Sequence, residues 1–388
     1  MTQMRCPLNE AADISPHEAA LIREEGELTY SEYEALVSGC AAHLRRLGLG
    51  PGDRVGLAVH ESWQIAVLVF ALLRCRAVIC PLPGRTARAW MGALGIRHVV
   101  ADGGRIEEGM EARVKRWSPE EVIPSFYEGQ DRRDQAMLEM DQPATILPRR
   151  PRVGGGEAIL HSFGNYYYGA RGVNHAVRLS SGGRWLFTGS MDTAGGWHAL
   201  FQCILGGAAL VLRSGRPPDP AGLRQDRITH LTISVSELER FVEVPAAGEE
   251  PSNLRAVIVR DGQQASEWMD RARHAGWPVC ASWDIPEAAS ATTLAAPMAA
   301  PAEREGSGPA LKYRRVRIGG NGHILVGGAT LFGGYVEGPV VRRPVDGEGW
   351  FDTGQLGRLD EGNCLHVAIR KPPARASTKR RKSGEGTP

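Results

Sequence analysis

Apolar residues recur at helical intervals over residues 31–47, where Leu36, Val37, Cys40, Leu44 and Leu47 share one face and Gly48 ends the run. Ser31 followed by Glu34 has capping-box spacing, which predicts the helix start there. Past the turn-forming run Gly50-Pro51-Gly52-Asp53, residues 54–60 read as a buried strand and 62–75 as a helix with an apolar face. Residues 77–82 and 97–101 read as further strands. Strands separated by helices predict a mainly parallel, doubly wound sheet. Residues 107–141 turn charged and weakly periodic, the pattern of a solvated linker. A second α/β block follows over 144–294, with strands expected at 208–212, 231–235, 256–259 and 278–281. The Ala-, Pro- and Gly-rich stretch 295–309 reads as a loop, and the short β-like runs and glycine turns of 314–367 as a small β-rich subdomain. Residues 370–388 carry basic side chains and no apolar run, which predicts a disordered tail.

A chain of 388 residues with 42% hydrophobic content can bury more than one core. Its 46 basic and 44 acidic residues nearly cancel, so it lacks the basic field of a nucleic-acid binder. Only Lys115, Lys312, Lys371, Lys379 and Lys382 supply an ammonium group, which limits any chemistry that needs one. The seven cysteines have no paired CxxC spacing and sit mostly in apolar runs, pointing to reduced thiols and a cytoplasmic setting. No signal-peptide pattern opens the chain, and the longest apolar stretch, 65–73, is too short to span a bilayer. HExxH, GxSxG and a dinucleotide GxGxxG after a strand are absent.

Several stretches, taken in order, carry a resemblance: LTYSEYEALVSGCAAHLRRLGLGPGDRVGLAVHES, then ATIL and AILHSFGNYYYGARGVN, GRWLF, FQCILGGAALVL, EAASATTL, and GATLFGGY with GWFDTGQLGRLDEGNCLHV. They resemble the adenylate-forming acyl-CoA synthetase superfamily, and within it most the o-succinylbenzoate–CoA ligases of menaquinone biosynthesis, across nearly all of residues 20–370. The resemblance implies an α/β fold of two stacked doubly wound sheets plus a small β-rich subdomain. It divides the chain into 1–142, 143–310 and 311–370, with 371–388 as the basic tail. It also implies a reaction in which ATP and Mg2+ convert a small carboxylate, here expected to be an aromatic acid, into an acyl-adenylate, and coenzyme A then takes the acyl group.

The resemblance also assigns residues. Where the family's Ser/Thr- and Gly-rich phosphate loop with lysines belongs, this chain reads Pro148-Arg149-Arg150-Pro151-Arg152-Val153-Gly154-Gly155-Gly156-Glu157-Ala158. The hydroxyls are gone and Glu157 stands where a lysine is expected, leaving Gly154, Gly155 and Gly156 as nucleotide-binding backbone and the arginines as cations. The slot is read as an exposed flexible loop. The family's adenine, phosphate and magnesium motif is matched by Trp283-Asp284-Ile285-Pro286-Glu287, with Trp283 as the stacking ring and Glu287 as the catalytic and metal-ligating carboxylate. In the ribose motif the chain has Thr353-Gly354-Gln355, where Gln355 replaces an aspartate and Asp352 should point the other way; Arg370 matches the arginine before the interdomain hinge. His161, Ser162, Asn165, Gly195 and Gly196 fall near the acyl substrate in the family. The residue-level alternatives are that His161, Ser162 and Asn165 cap a helix and that His198 is packing. Beyond Arg370 the match stops, so the family's lysine-bearing C-terminal domain is expected to be missing. Two functions stand open: an acyl-CoA ligase with impaired adenylation, and a catalytically inactive ligand-binding or regulatory relative.

Overall fold

The computed structural model describes residues 2–82, 84–103, 114–124, 135–152, 155–213, 220–243, 253–297 and 306–368. Two eight-stranded sheets dominate. In the first, the parallel strands Val78–Pro81, Arg54–Ala58, His98–Ala101 and Lys115–Trp117 are extended past Val78–Pro81 by Pro143–Arg152, Gly155–Ser162, Gly334–Glu337 and Val340–Arg342. The second sheet runs in the order Ser290–Leu294, Val279–Ile285, Ala256–Arg260, His230–Ile233, Arg184–Phe187, Ala209–Leu212, Ala19–Arg23 and Gly26–Thr29, parallel except at its two edge pairs. Each large sheet draws strands from both sides of residue 143. A smaller antiparallel sheet of Arg314–Ile318, His323–Gly328, Phe351–Leu359 and Leu365–Val367 completes the α/β architecture.

Successive side chains of a strand point to opposite faces, and here both faces are covered. Leu210 and Ile258 join the central core with the helices Ser62–Arg74, Phe163–Val177 and Ala194–Gly206, whereas Val211, Val257 and Val259 pack outward with Leu238, Phe241 and Met269. Val55 and Leu57 likewise face the central core, while Ala58 and Val99 face Trp90 and Met91 of the helix Ala87–Leu94. The central layer is aromatic: Tyr166 stacks on Phe201 at 5.2 Å between ring centres, and Phe201 meets Phe70 at 5.3 Å. One ion pair is sealed inside it. Arg74 forks onto both Glu34 oxygens at 2.8 and 2.6 Å, and Asn9 donates to the same carboxylate at 2.9 Å.

Three local expectations change. The first long helix is Tyr30–Arg46, capped by Thr29 and Glu32 rather than by Ser31 and Glu34, because Glu34 is committed to Arg74 inside the core. The expected linker contains ordered pieces: Lys115–Trp117 pairs with His98–Ala101, Pro119–Val122 is a capped helical turn, and Met137–Glu139 pairs with Gln3–Arg5. The slot expected to be a flexible loop is an antiparallel hairpin, in which Ala158 faces Pro148 and Gly156 faces Pro151. Its prolines disfavour helix and leave extended backbone, and the adjacent pairing captures it. Residues 371–388, assigned to a disordered tail, lie outside the described residues.

Candidate nucleotide and acyl site

Glu287 sits in the short helical turn Pro286–Ala288 between the strands Val279–Ile285 and Ser290–Leu294, and Ala289 takes the left-handed conformation that swings the chain back. The backbone carbonyl of Glu287 accepts from Phe332 N at 2.8 Å, which pins the turn to the segment before Gly334–Glu337. Its side chain is 4% exposed. Two donors converge on Oε1: Arg149 Nη1 at 2.9 Å and the Tyr335 hydroxyl at 2.7 Å. Arg149 also donates to the Tyr335 oxygen at 3.2 Å and lies 3.6 Å from Glu157, while Arg342 reaches Glu157 at 2.8 Å. Burial, with donation to Glu287, pushes the Tyr335 phenol well above its ordinary value. The hairpin of Pro143–Arg152 and Gly155–Ser162 thus delivers an arginine onto the carboxylate that the sequence marks as a metal ligand.

That donor set does not fit a magnesium ion. A magnesium site wants a bare carboxylate within an octahedron of oxygens, and here Glu287 already carries a cation and a hydroxyl. Among the described residues no cluster of three His, Cys, Asp or Glu side chains has a geometry that holds a metal.

The neighbouring residues that the resemblance assigns to the nucleotide are also bonded to protein groups. Trp283 is 3% exposed and its Nε1 donates to Gln355 Oε1 at 3.1 Å. Gly354 has a φ of +66°, and Gln355 N donates to Thr353 Oγ1 at 3.1 Å, so the turn aims the amide at the indole. Asp352 points away as expected: it pairs with His323 at 3.0 Å and accepts from Gly354 N, and those bonds hold its carboxyl below the usual range. Gly155 and Gly156 lie in paired strand backbone, whereas Gly154 and Arg370 lie outside the described residues.

The acyl-side residues form a different setting. Ser162 is the N-cap of Phe163–Val177 in a capping box with Asn165, whose Nδ2 donates to the Ala329 and Leu331 carbonyls at 2.9 and 3.0 Å. These two are bound up in structure, as the alternative reading allowed. Gly195 and Gly196 open the helix Ala194–Gly206 behind the N-cap Thr193; a Cβ on Gly196 would lie 2.7 Å from Met191 Cα, so that glycine serves close packing. His161 is fully buried, with Nε2 2.9 Å from the Pro286 carbonyl, and burial lowers its pKa to about 4. His198, read as packing, is partly buried with its Nε2 enclosed, and its pKa is lowered to about 3, chiefly by desolvation and then by His161 and Arg314. Both rings flank Tyr166, at 5.6 and 5.4 Å.

Sequence reasoning missed Tyr335, Arg342, Asp284 and Arg314. Arg314 is a buried guanidinium lowered to about 9 by burial against the field of Asp284, and Asp284 is itself raised to about 6 by burial. Among the described residues, His161 Nδ1, His198 Nε2, Arg314 Nε, Thr292 Oγ1, Thr293 Oγ1 and Thr330 Oγ1 are buried and make no hydrogen bond. The signal for Tyr335 was present in GATLFGGY, but nothing in that run says which carboxylate its hydroxyl will meet. A separate cleft of about 540 Å³, lined by Asp53, Arg54, Gly95, His98 and Pro339, contains none of the sequence-assigned residues.

Two stacked eight-stranded sheets, a helical layer between them and a carboxylate-bearing turn at the end of one parallel strand define the class: the fold is that of the adenylate-forming enzymes. The AMP-binding enzyme family matches residues 8–123. Within that class, the chain is similar to 2-succinylbenzoate–CoA ligases, at 24% identity to that of Bacillus pumilus over 93% of this chain and 76% of the relative. The Listeria monocytogenes enzyme of the same name (strain F2365) is 23% identical over 94% of this chain and 78% of its own length. Among solved structures, the o-succinylbenzoate coenzyme A synthetase of Bacillus subtilis in complex with ATP and magnesium ion superposes with a TM-score of 0.81 at 20% identity, covering 94% of this chain and 79% of that one. The same enzyme in complex with AMP gives 0.83 at 20% identity, over 95% and 79%. No described helix is long and apolar enough to cross a membrane.

Proposed function

We propose that this chain is an acyl-CoA-ligase-like protein of the o-succinylbenzoate type that retains a buried acyl-side pocket for a small aromatic carboxylate while its adenylation chemistry is impaired. The observation that carries this reading is the self-satisfied nucleotide half: Glu287 is bound by Arg149 and Tyr335, and Trp283 by Gln355. The acyl half, by contrast, keeps single buried polar atoms without partners, Arg314 Nε and His198 Nε2 among them, although the Arg314 Nη atoms donate to the Lys312 and Gly169 carbonyls, and a buried donor that lacks a partner gains free energy from an anion that supplies one. Seven buried free cysteines suit a reducing, cytoplasmic setting. ATP and coenzyme A remain the co-substrates implied by the resemblance.

ATP–pyrophosphate exchange with a panel of aromatic and fatty acids, paired with calorimetry of the acids alone, tests this. The expected result is acid binding with exchange no faster than in Glu287→Ala. A second reading, a ligase that still turns over slowly, draws on the similarity that runs over 93% of the chain; exchange clearly above that control decides for it. Absence of binding by every acid overturns the retained pocket.

A further inference from the structure

We propose that the Arg149 guanidinium is the resident cation of this site, standing where a divalent metal would be needed, so that any nucleotide or polyphosphate taken here is bound without metal. This deepens the reading above and shares its site, but it concerns metal dependence rather than turnover or acid binding, and it fails separately. The charges alternate through space: Glu287, Arg149, Glu157, then Arg342, with contacts of 2.9, 3.6 and 2.8 Å. Tyr335 is the hub. Both guanidiniums lie over its ring, Arg149 at 5.8 Å and Arg342 at 5.2 Å from the centroid, and its hydroxyl spans Arg149 and Glu287. Such a set fixes Arg149 from three sides, by carboxylate, phenol and ring face.

A metal entering at Glu287 would have to displace the bonds on Oε1 and would leave a guanidinium a few ångströms from a second positive centre, which the buried carboxylate cannot neutralise alone. The guanidinium is less demanding. It satisfies Glu287 with one N–H and retains further donors, and at 44% side-chain exposure it can turn those toward an incoming phosphate. The hairpin explains why this solution is available. A register shift between Gly156 and Ala158 leaves Glu157 across the hairpin from the Arg149 region, so the arginine arrives already flanked by one carboxylate before it meets the second.

The test is the melting temperature of the full chain with ATP, in EDTA and in excess Mg2+, for wild type, Arg149→Ala and Arg149→Ala/Glu287→Gln, because a ligand that binds only the folded state raises it. The wild type should melt at the same temperature with ATP whether EDTA or Mg2+ is present. Arg149→Ala, which removes the cation and leaves Glu287 with the neutral Tyr335 hydroxyl alone, should acquire a shift that appears only with Mg2+ and ATP together, and the double variant should lose it. If Arg149→Ala does not fold, Arg149→Gln serves, since its amide still donates to Glu287 without the charge. A wild-type shift that requires Mg2+ and disappears in Glu287→Gln overturns the proposal. So does a folded Arg149→Ala or Arg149→Gln with no magnesium dependence, because something other than the guanidinium then closes the site.

Discussion

The cluster around Glu287 and the cluster around His198 and Arg314 use their polar groups in different ways. On one side, Glu287, Arg149 and Tyr335 bond to one another, and Trp283 bonds to Gln355. On the other, His198 Nε2, Arg314 Nε, Thr292 Oγ1 and Thr293 Oγ1 are buried atoms that bond to nothing among the described residues, while the Arg314 Nη atoms donate to the Lys312 and Gly169 carbonyls. An internally satisfied cluster stabilises the fold and resists a ligand, whereas an unsatisfied one costs stability and favours a ligand. The comparison teaches that a pocket's affinity lies in the hydrogen bonds it has not yet made.

The strongest way to break that contrast is acid. His161 and His198 are neutral in the fold, with pKa values of about 4 and about 3, both below the ordinary 6.5 of an unfolded chain. Between pH 6.5 and 4 the unfolded state therefore binds more protons, so the stability these rings contribute is whole above 6.5 and is lost as the pH falls toward their folded values. Asp284 works the other way, since its folded value of about 6 lies above the ordinary 3.8 and its cost grows as pH rises through that window. Two histidines outweigh one carboxyl, and the expected net loss on going from pH 7 to 4 is on the order of several kcal/mol at one pKa unit per 1.36 kcal/mol. Urea titrations across pH 4–7 measure it, and His198→Phe should flatten the slope. An unchanged slope would mean that these rings accept protons in the folded state and that the acyl half is wetter than described.

Next in size is the shared wall. Phe201 holds Tyr166 and Phe70 in place, so Phe201→Ala should cost about 3–5 kcal/mol and weaken acid binding along with stability. Arg314→Met separates the two: the acid should bind about 10-fold or more weakly, the scale of one charge-assisted bond, while the fold loses about 1–3 kcal/mol because the Gly169 and Lys312 carbonyls lose their donor. Equal affinity in that variant would remove Arg314 from the binding face. The smallest expected effect is Gln355→Asp, which shortens the side chain while adding a charge near Trp283 Nε1. Alone it should change ATP affinity by less than about 5-fold, since Arg149 still occupies Glu287; a larger gain would shift the comparison toward a nucleotide half limited by the ribose partner.

Much of the frame was legible in the chain. The strands at 54–60, 97–101, 231–235 and 256–259 were marked by short apolar runs between turn residues, and the structure places strands within or beside each. Trp283, Glu287 and Gln355 could be assigned by resemblance. What their spacing could not convey is that Trp283 bonds to Gln355 and Glu287 to Arg149 and Tyr335, because a hydrogen bond across 72 residues leaves no periodic trace. Glu34 shows the same limit. Its place three residues after a serine fits a cap, and only the three-dimensional approach of Arg74, 40 residues on, turns it into a buried ion partner. The hairpin at 143–162 escaped because prolines and glycines carry the same composition in a loop as in a paired hairpin.

The strand pairing also sets the order in which the molecule can be built. Leu21 lies in register with Leu210, and Ala158 with Val336, so neither large sheet is complete until residues far down the chain have emerged. A ribosome adds about 5–20 residues each second, and long-range pairing is slow in any case. For many seconds, then, the strand Ala19–Arg23 and the hairpin that carries Arg149 wait with open edges. The ion pair that quiets the finished site closes only when the last third of the protein arrives to supply Glu287 and Tyr335, which makes that contact a late seal on assembly as well as a barrier to metal.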